Sequence, residues 1–377
     1  MLAQISLENE INTYAAKVST DSYSMSVGEL VSMYRDGELN LHPEFQRFFR
    51  WSIEQKSKFI ESLLLGIPIP PIFVSERSNS YWDVIDGLQR ISTIFEVMGE
   101  LKDEDDEYKE QIMLTRTRYL PSLEGKVWQT DDEENQLPES ARVKIKRSRL
   151  DINIVKKTSD EIAKYEIFQR LNTGGSVATN QEIRNCILIM NNRDFFYRMK
   201  NLAESEDFKE CILITDRAIE ESFDLELLTR FFVFCSSTHE KLSQINELGD
   251  FLTDGVLEIV KFYESSDFSQ RIEDVFQKTF RYLSEYLGSD SFRKFNSAQG
   301  RYYGGTLVSL FEVTAVGIGR TLLSNGSLPN PEIFRKRHRS LGNNEDLQSF
   351  TRSGTRSSDR IPRTITFGEN LVQSCLL

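Results

Sequence analysis

Histidine is scarce in this chain. Three histidines, His42, His239 and His338, are scattered over 377 residues. No HExxH pair, no Cys/His cluster and no His-rich finger of the HNH nuclease type can be written from them, which argues against a zinc site and a histidine-dependent nuclease. The four cysteines, Cys186, Cys211, Cys235 and Cys375, stand too far apart for a CxxC pair. In an acidic chain of this size they read as reduced thiols of a cytoplasmic protein. Long apolar runs are missing too. The stretch 307–319, LVSLFEVTAVGIG, is interrupted by Glu312, and nothing approaches the roughly 18 residues that a membrane helix needs. The N-terminus, MLAQISLENEINTYAAK, has no basic region ahead of an apolar core, so neither secretion nor membrane association is expected. The Walker motif GxxxxGK[ST] is absent, which excludes a P-loop enzyme, and no repeat recurs at a fixed period.

What is plentiful is negative charge. Lys and Arg number 46 against 58 Asp and Glu, a net charge of −12. The whole therefore repels nucleic acid and anionic membrane, and any DNA contact must come from a local patch. Two basic runs qualify, RVKIKRSR at 142–149 and FRKRHR at 334–339. From Phe334 to Arg363 eight basic residues face three acids, net +5, which leaves −17 for the rest. Such runs are most often solvated faces. With 39% apolar residues the chain can bury a full core, and its length suits two packed units.

Periodicity places the elements. SVGELVSMYRDGEL has a helical pattern that stops at Gly37, and EQKSKFIESLLL sets Phe59, Ile60, Leu63 and Leu64 on one face before Gly66. IPIPPIFV carries three prolines, so it enters extended into a strand that pairs with YWDVI as a hairpin. LQRISTIFEVMG spaces Ile91, Ile94, Phe95 and Met98 as an amphipathic helix ending at Gly99. Residues 100–140 read as acidic loops around a small hairpin, TRYLPSLEGKVWQ, and RVKIKRSRLDINIVKK as a strand. Thr158 with Glu161 and Thr179 with Glu182 form capping boxes on either side of the glycine-rich connector NTGG. From about residue 190 the pattern is helical.

Three stretches have residues suited to an anion. In WDVIDGLQRISTI, Asp86-Gly87 joins a strand to a helix, where orphan amides and the positive end of the helix dipole coincide. Arg90 could aim a fork of donors at the same point, and Asp86 could cap the helix or hold a metal. Asp-Gly before a helix is equally an ordinary turn. FQRFFRW offers Gln46, Arg47, Arg50 and Trp51, a mix that stacks a base and holds a phosphate, or else core aromatics with exposed arginines. QRLNTGG offers Asn172 and paired glycines, or a plain helix-loop-helix corner.

In this order, HPEFQRFFRW, IESLLLGIPIPPIFV, YWDVIDGLQRISTI and FQRLNTGGSVATNQEIRN resemble the N-terminal domain family of the GmrSD restriction endonucleases, over about residues 25–190. The family motif DGQQR reads DGLQR here: Asp86, Gly87, Gln89 and Arg90 match, and Leu88 replaces a glutamine. The resemblance implies an α+β architecture, a ParB/sulfiredoxin-like domain followed by a mainly helical part. It implies a nucleotide-binding domain at 25–190, to which the residue pattern adds a polar leader at 1–24, a helical domain at 191–330 and a basic tail at 331–377. It also implies binding of an NTP by Gln46, Arg47, Trp51, Asp86, Gly87, Gln89, Arg90 and Asn172. Hydrolysis with Mg²⁺ would then rest on Asp86, Arg90 and Arg47, Asp86 being the metal ligand. The setting would be a prokaryotic anti-phage or modified-DNA restriction system, the chain standing alone without an HNH domain and acting with a separately encoded nuclease or effector; homo-oligomerisation and DNA contact through the basic patches stay open. Two alternatives remain: a direct metal-dependent nuclease, and a non-catalytic adaptor with a vestigial nucleotide site.

Overall fold

The computed structural model describes the chain except for residues 1–6, 16–18, 42–50, 78, 104–105, 160–166, 168–169, 171–178, 264–266, 353 and 377. It divides into two compact units, Met1–Ala178 and Thr179–Leu377.

The first unit is built on a five-stranded mixed sheet. Its strands are β1 (Thr20–Ser26), β2 (Leu39–Asn40), β3 (Ile72–Glu76), β4 (Trp82–Asp86) and β5 (Arg149–Val155), in spatial order β1-β5-β3-β4-β2. β3 lies in the middle, parallel to β5 and antiparallel to β4, while β1 runs antiparallel to β5 and β2 parallel to β4. The prolines of IPIPP stop one residue short of β3, so no ladder donor is lost. Ile72, Val74, Val84, Ile152 and Ile154 are buried on the sheet.

Among the described residues the unit also has helices α1 (Leu7–Ala15), α2 (Val27–Arg35), α3 (Ile53–Leu65), α4 (Leu88–Met98) and α5 (Glu139–Arg147). The expected hairpin β3–β4 is present, and the stripe Ile91, Ile94, Phe95 and Met98 of α4 is buried. Each such side chain stabilises by about 2 kcal/mol. α3 begins with a capping box between Ser52 and Gln55 and ends at Gly66 in the left-handed region.

Three local expectations change. RVKIKR is helical rather than extended: it carries Ile145 alone inward, ends in Lys144, Lys146 and Arg147 against the negative helix terminus, and the strand starts only at Arg149. Residues 20–24 of the presumed leader lie in β1. The acidic segment after Gly99 contains a short 3₁₀ turn, Pro121–Leu123, in place of a hairpin. It is held by buried Glu61, which accepts from Thr117 Oγ1 at 2.5 Å and from the amides of Tyr119 at 2.8 Å and Leu120 at 3.0 Å. Burial works against charge on Glu61, but these three donors outweigh it and hold the carboxyl below its usual range. The Thr158–Glu161 box and most of YEIFQRL lie outside the described residues.

The second unit is mainly helical. Helix Asn180–Asn191 opens with the expected capping box of Thr179 and Glu182. An aromatic cluster fills the centre: Phe276 and Phe280 lie 4.5 Å apart by ring centroid, and Phe208 meets Phe280 at 4.8 Å, edge to face. Residues 331–377, expected as a basic tail, are instead largely helical. Helices Pro331–Ser340 and Ser357–Gln373 bury Phe334, His338, Ile361, Ile365 and Val372, because the apolar residues between the arginines share a face. Helix Gly317–Asn325 crosses Ser357–Gln373 at two glycines: a Cβ on Gly317 would stand 2.8 Å from the carbonyl carbon of Gly368. Ahead of it runs a π-helical turn, Glu312–Val316, whose first residue is a buried carboxylate. Among the described residues no helix is long and apolar enough to cross a membrane.

Candidate functional site

The β4–α4 junction gathers four matching motif residues. The pairing of β3 with β4 shifts register between Phe73 and Val74: Phe73 faces Asp86 while Val74 faces Val84. The irregularity leaves Ile85 without an opposite number and re-aims Asp86 at the strand end. Gly87 follows at φ 92°, a conformation that L side chains rarely adopt. The place its Cβ would take is already filled by Ile72 Cδ1, with Arg90 Nη2 at 3.2 Å. Glycine is therefore required here by packing against β3 and by backbone angle together.

α4 starts at Leu88 with Gly87 as its N-cap, and no side chain caps it. Its first amides thus keep their donor capacity, at the positive end of an 11-residue helix. Asp86, the residue expected to cap it, is turned the other way. Its Oδ2 accepts from Arg90 Nη2 at 2.6 Å, across one helical turn. Arg90 Nη1 reaches back to the carbonyl of Pro70, and to that of Pro71 at 3.0 Å. The Arg90 side chain is 12% exposed and that of Asp86 35%. The guanidinium hence latches the proline segment onto the strand-helix junction, and the carboxylate is the more accessible partner.

Gln89 ties in a second segment. Its Oε1 accepts the backbone N–H of Trp51 at 3.0 Å, and the Trp51 ring packs edge-on to Phe59 at 5.5 Å. Trp51 is thus half-buried against α3 at the junction. Leu88, which stands where the family motif has glutamine, is buried. An amide at that position would have to find a partner indoors.

The structure brings Trp51, Asp86, Gly87, Gln89 and Arg90 together. Gln46, Arg47 and Asn172 lie outside the described residues. The partners of Arg90, the carbonyls of Pro70 and Pro71, had no signal in the sequence, since backbone acceptors carry none. Among the described residues no three of His, Cys, Asp and Glu converge as a metal-binding group. Asp86 offers one carboxylate, half of it engaged by Arg90, which suits an ion that completes its shell with phosphates and water rather than with protein.

Residues 27–189 match the family model of the GmrSD restriction endonuclease N-terminal domain. This stretch is a GmrSD N-terminal domain. The match begins with α2 and ends within helix Asn180–Asn191, so it spans the sheet strands β2 to β5 and the β4–α4 junction. No curated protein matches the chain. A GmrSD N-terminal domain points to a component of a restriction system, and the DGLQR sequence supplies both the fold's strand-helix joint and its accessible acid.

Proposed function

We propose that the GmrSD N-terminal domain of this chain binds a nucleoside triphosphate at the β4–α4 junction and hydrolyses it, as the sensor or regulator of DNA cleavage in a restriction system that acts on foreign or modified DNA. The observation that supports this best is the uncapped start of α4 directly after Gly87, beside the Asp86–Arg90 pair. Amides at a helix terminus suit a phosphate, and a guanidinium one turn away can exchange a carboxylate for a phosphate oxygen with little movement.

In this reading Asp86 would hold Mg²⁺, and Arg47 supplies a further cation. Gln46, Trp51, Gln89 and Asn172 place the rest of the nucleotide. Arg90 has two roles: it positions Asp86 while the pair is closed, and it meets the phosphate once the pair opens. Catalysis would then be positioning plus electrostatic stabilisation of charge on the phosphoryl group. The metal supplies charge neutralisation there.

The test uses the purified full chain with each NTP and Mg²⁺, with and without plasmid DNA, and compares Asp86→Asn and Arg90→Gln. Turnover in the native chain, lost in Asp86→Asn while binding persists, supports the proposal. Tight binding without turnover would make the site that of a non-catalytic adaptor. Nicking of DNA with metal but no nucleotide would favour the nuclease alternative, which needs a cluster of metal ligands that the described residues do not form.

A further inference from the structure

In the second unit, helices Leu248–Phe262 and Ser357–Gln373 both begin without a side-chain cap, and both begin at the wall of one cleft of about 740 Å³. Three arginines line it. Arg184 is 1% exposed and Arg230 8%, so both are largely buried in its wall, while Arg356 is exposed at the start of Ser357–Gln373. The two inner ones are fixed in place. Arg184 donates to Thr253 Oγ1 at 3.2 Å, to the Gly249 carbonyl at 3.3 Å and to Gln181. Arg230 is bound by Glu226 at 2.5 Å, and its Nη1 lies 3.4 Å from Glu312 in the π-helical turn. Surface arginines are seldom held this way. Holding them costs side-chain freedom in advance and leaves less to lose when an anion arrives.

The charge balance and the shape point to one kind of ligand. Against the three arginines the lining carries two acids, Glu226 and Glu247, and Arg230 is already met by Glu226 and, behind the wall, by Glu312. Each of the two helix starts adds roughly half a positive charge. The volume suits a small molecule rather than a lone ion. Leu248 and Leu252 are the apolar residues in the lining, which contains no aromatic ring to stack on a base. Recognition must therefore come through the charged end of the ligand.

We propose that this cleft binds a small phosphorylated molecule by its phosphate groups, the donors being Arg356 and the first amides of Ser357–Gln373, with Arg230 and Arg184 fixed behind them as a positively charged wall. Ser357 and Ser358 add hydroxyls at the same helix start. The site lies wholly within Thr179–Leu377 and does not depend on the nucleotide reading of the β4–α4 junction.

Isothermal titration calorimetry of the full chain with pyrophosphate tests it, with ATP, AMP and a hexose phosphate as further arms that separate nucleotide from sugar sources. Saturable pyrophosphate binding is expected, weakened about tenfold or more by Arg356→Glu, a charge-assisted contact turned into a repulsion. Arg90→Gln isolates any contribution of the α4 site: the component of binding that Arg356→Glu weakens should persist in it, which keeps this cleft distinct. Ser358→Asp is the second variant, at a half-buried position of the same helix start, and should weaken binding in the same direction. No saturable binding of any arm overturns the proposal. So does equal affinity in the native chain, Arg356→Glu and Ser358→Asp, or binding lost only in Arg90→Gln.

Discussion

Arg230 Nη1 stands 3.4 Å from Oε1 of Glu312, a carboxylate with no exposed surface. The other oxygen of Glu312 takes Arg360 and the hydroxyl of Thr364, the latter at 2.9 Å. One buried acid thus answers two guanidiniums, and it sits at the head of a π-helical turn whose widened backbone is itself a departure from regular helix. Removing it strands cations inside the second unit. Glu312→Ala should cost about 3 to 5 kcal/mol in denaturant unfolding, whereas a surface substitution such as Glu258→Ala should cost almost nothing. A loss under about 1 kcal/mol would mean that the arginines find water instead.

Gly87→Ala should destabilise the first unit by about 2 to 4 kcal/mol, since the methyl must displace Ile72 and the backbone must hold a positive φ with a side chain. Pairing it with Ile72→Ala separates the causes. If the double variant recovers part of the loss, packing against β3 is the larger share. If it recovers none, the dihedral angle is.

Glu61→Ala should free the loop that carries Tyr119 and Leu120. Two amides and one hydroxyl lose a shared acceptor, at a cost of about 2 to 3 kcal/mol. Hydrogen exchange at those two amides should quicken while that of α4 amides stays slow. Because the folded carboxyl titrates lower than an unfolded one, its contribution is present above the ordinary glutamate range and fades as pH falls through the folded value.

His338 titrates in the opposite sense. Burial lowers it to about 4, although its bond to the Ser291 carbonyl pulls upward. Nε2 meets that carbonyl at 2.9 Å and Nδ1 meets the Tyr302 hydroxyl at 3.0 Å, an arrangement that fits a neutral ring donating from Nε2. An unfolded imidazole takes up its proton near pH 6.5. Between about 6.5 and 4 the unfolded chain binds more protons, so stability should fall by about 3 kcal/mol as pH drops across that window. The slope should flatten in His338→Gln. An unchanged slope would place the acid sensitivity elsewhere.

All four cysteines are buried, and desolvation raises Cys211 to about 12. A thiol-specific reagent should label the native chain slowly and the denatured chain four times over. Rapid labelling of one site in native buffer would show local opening at that helix.

Much of the first unit was legible from spacing alone. The hairpin β3–β4, the stripe of α4 and the glycine stops at 66 and 99 follow from side-chain period and from the two backbone conformations that glycine permits. RVKIKR misled because alternation over so few residues fits a strand, while the buried face of α5 uses one residue, Ile145. At the site, the motif residues Asp86 to Arg90 could be listed by type, but not the direction in which Arg90 points. That direction depends on two proline carbonyls some twenty residues earlier, and chain order says nothing of such acceptors. The cleft of the second unit was hidden for a related reason. Arg184, Arg230 and Arg356 are far apart along the chain, and the stretch holding Arg356 reads as solvated basic sequence although its apolar face is packed.

The edge strand β1 has a bearing on how the molecule is made. Thr20 pairs with Val155 and Ser26 with Arg149, so β1 waits for a strand more than a hundred residues further along the chain. Closing so large a loop is slow compared with neighbouring contacts. On the ribosome the sheet therefore keeps an open side until β5 has left the exit tunnel, and that interval, rather than any weakness of the finished fold, is when the nascent chain most needs a chaperone.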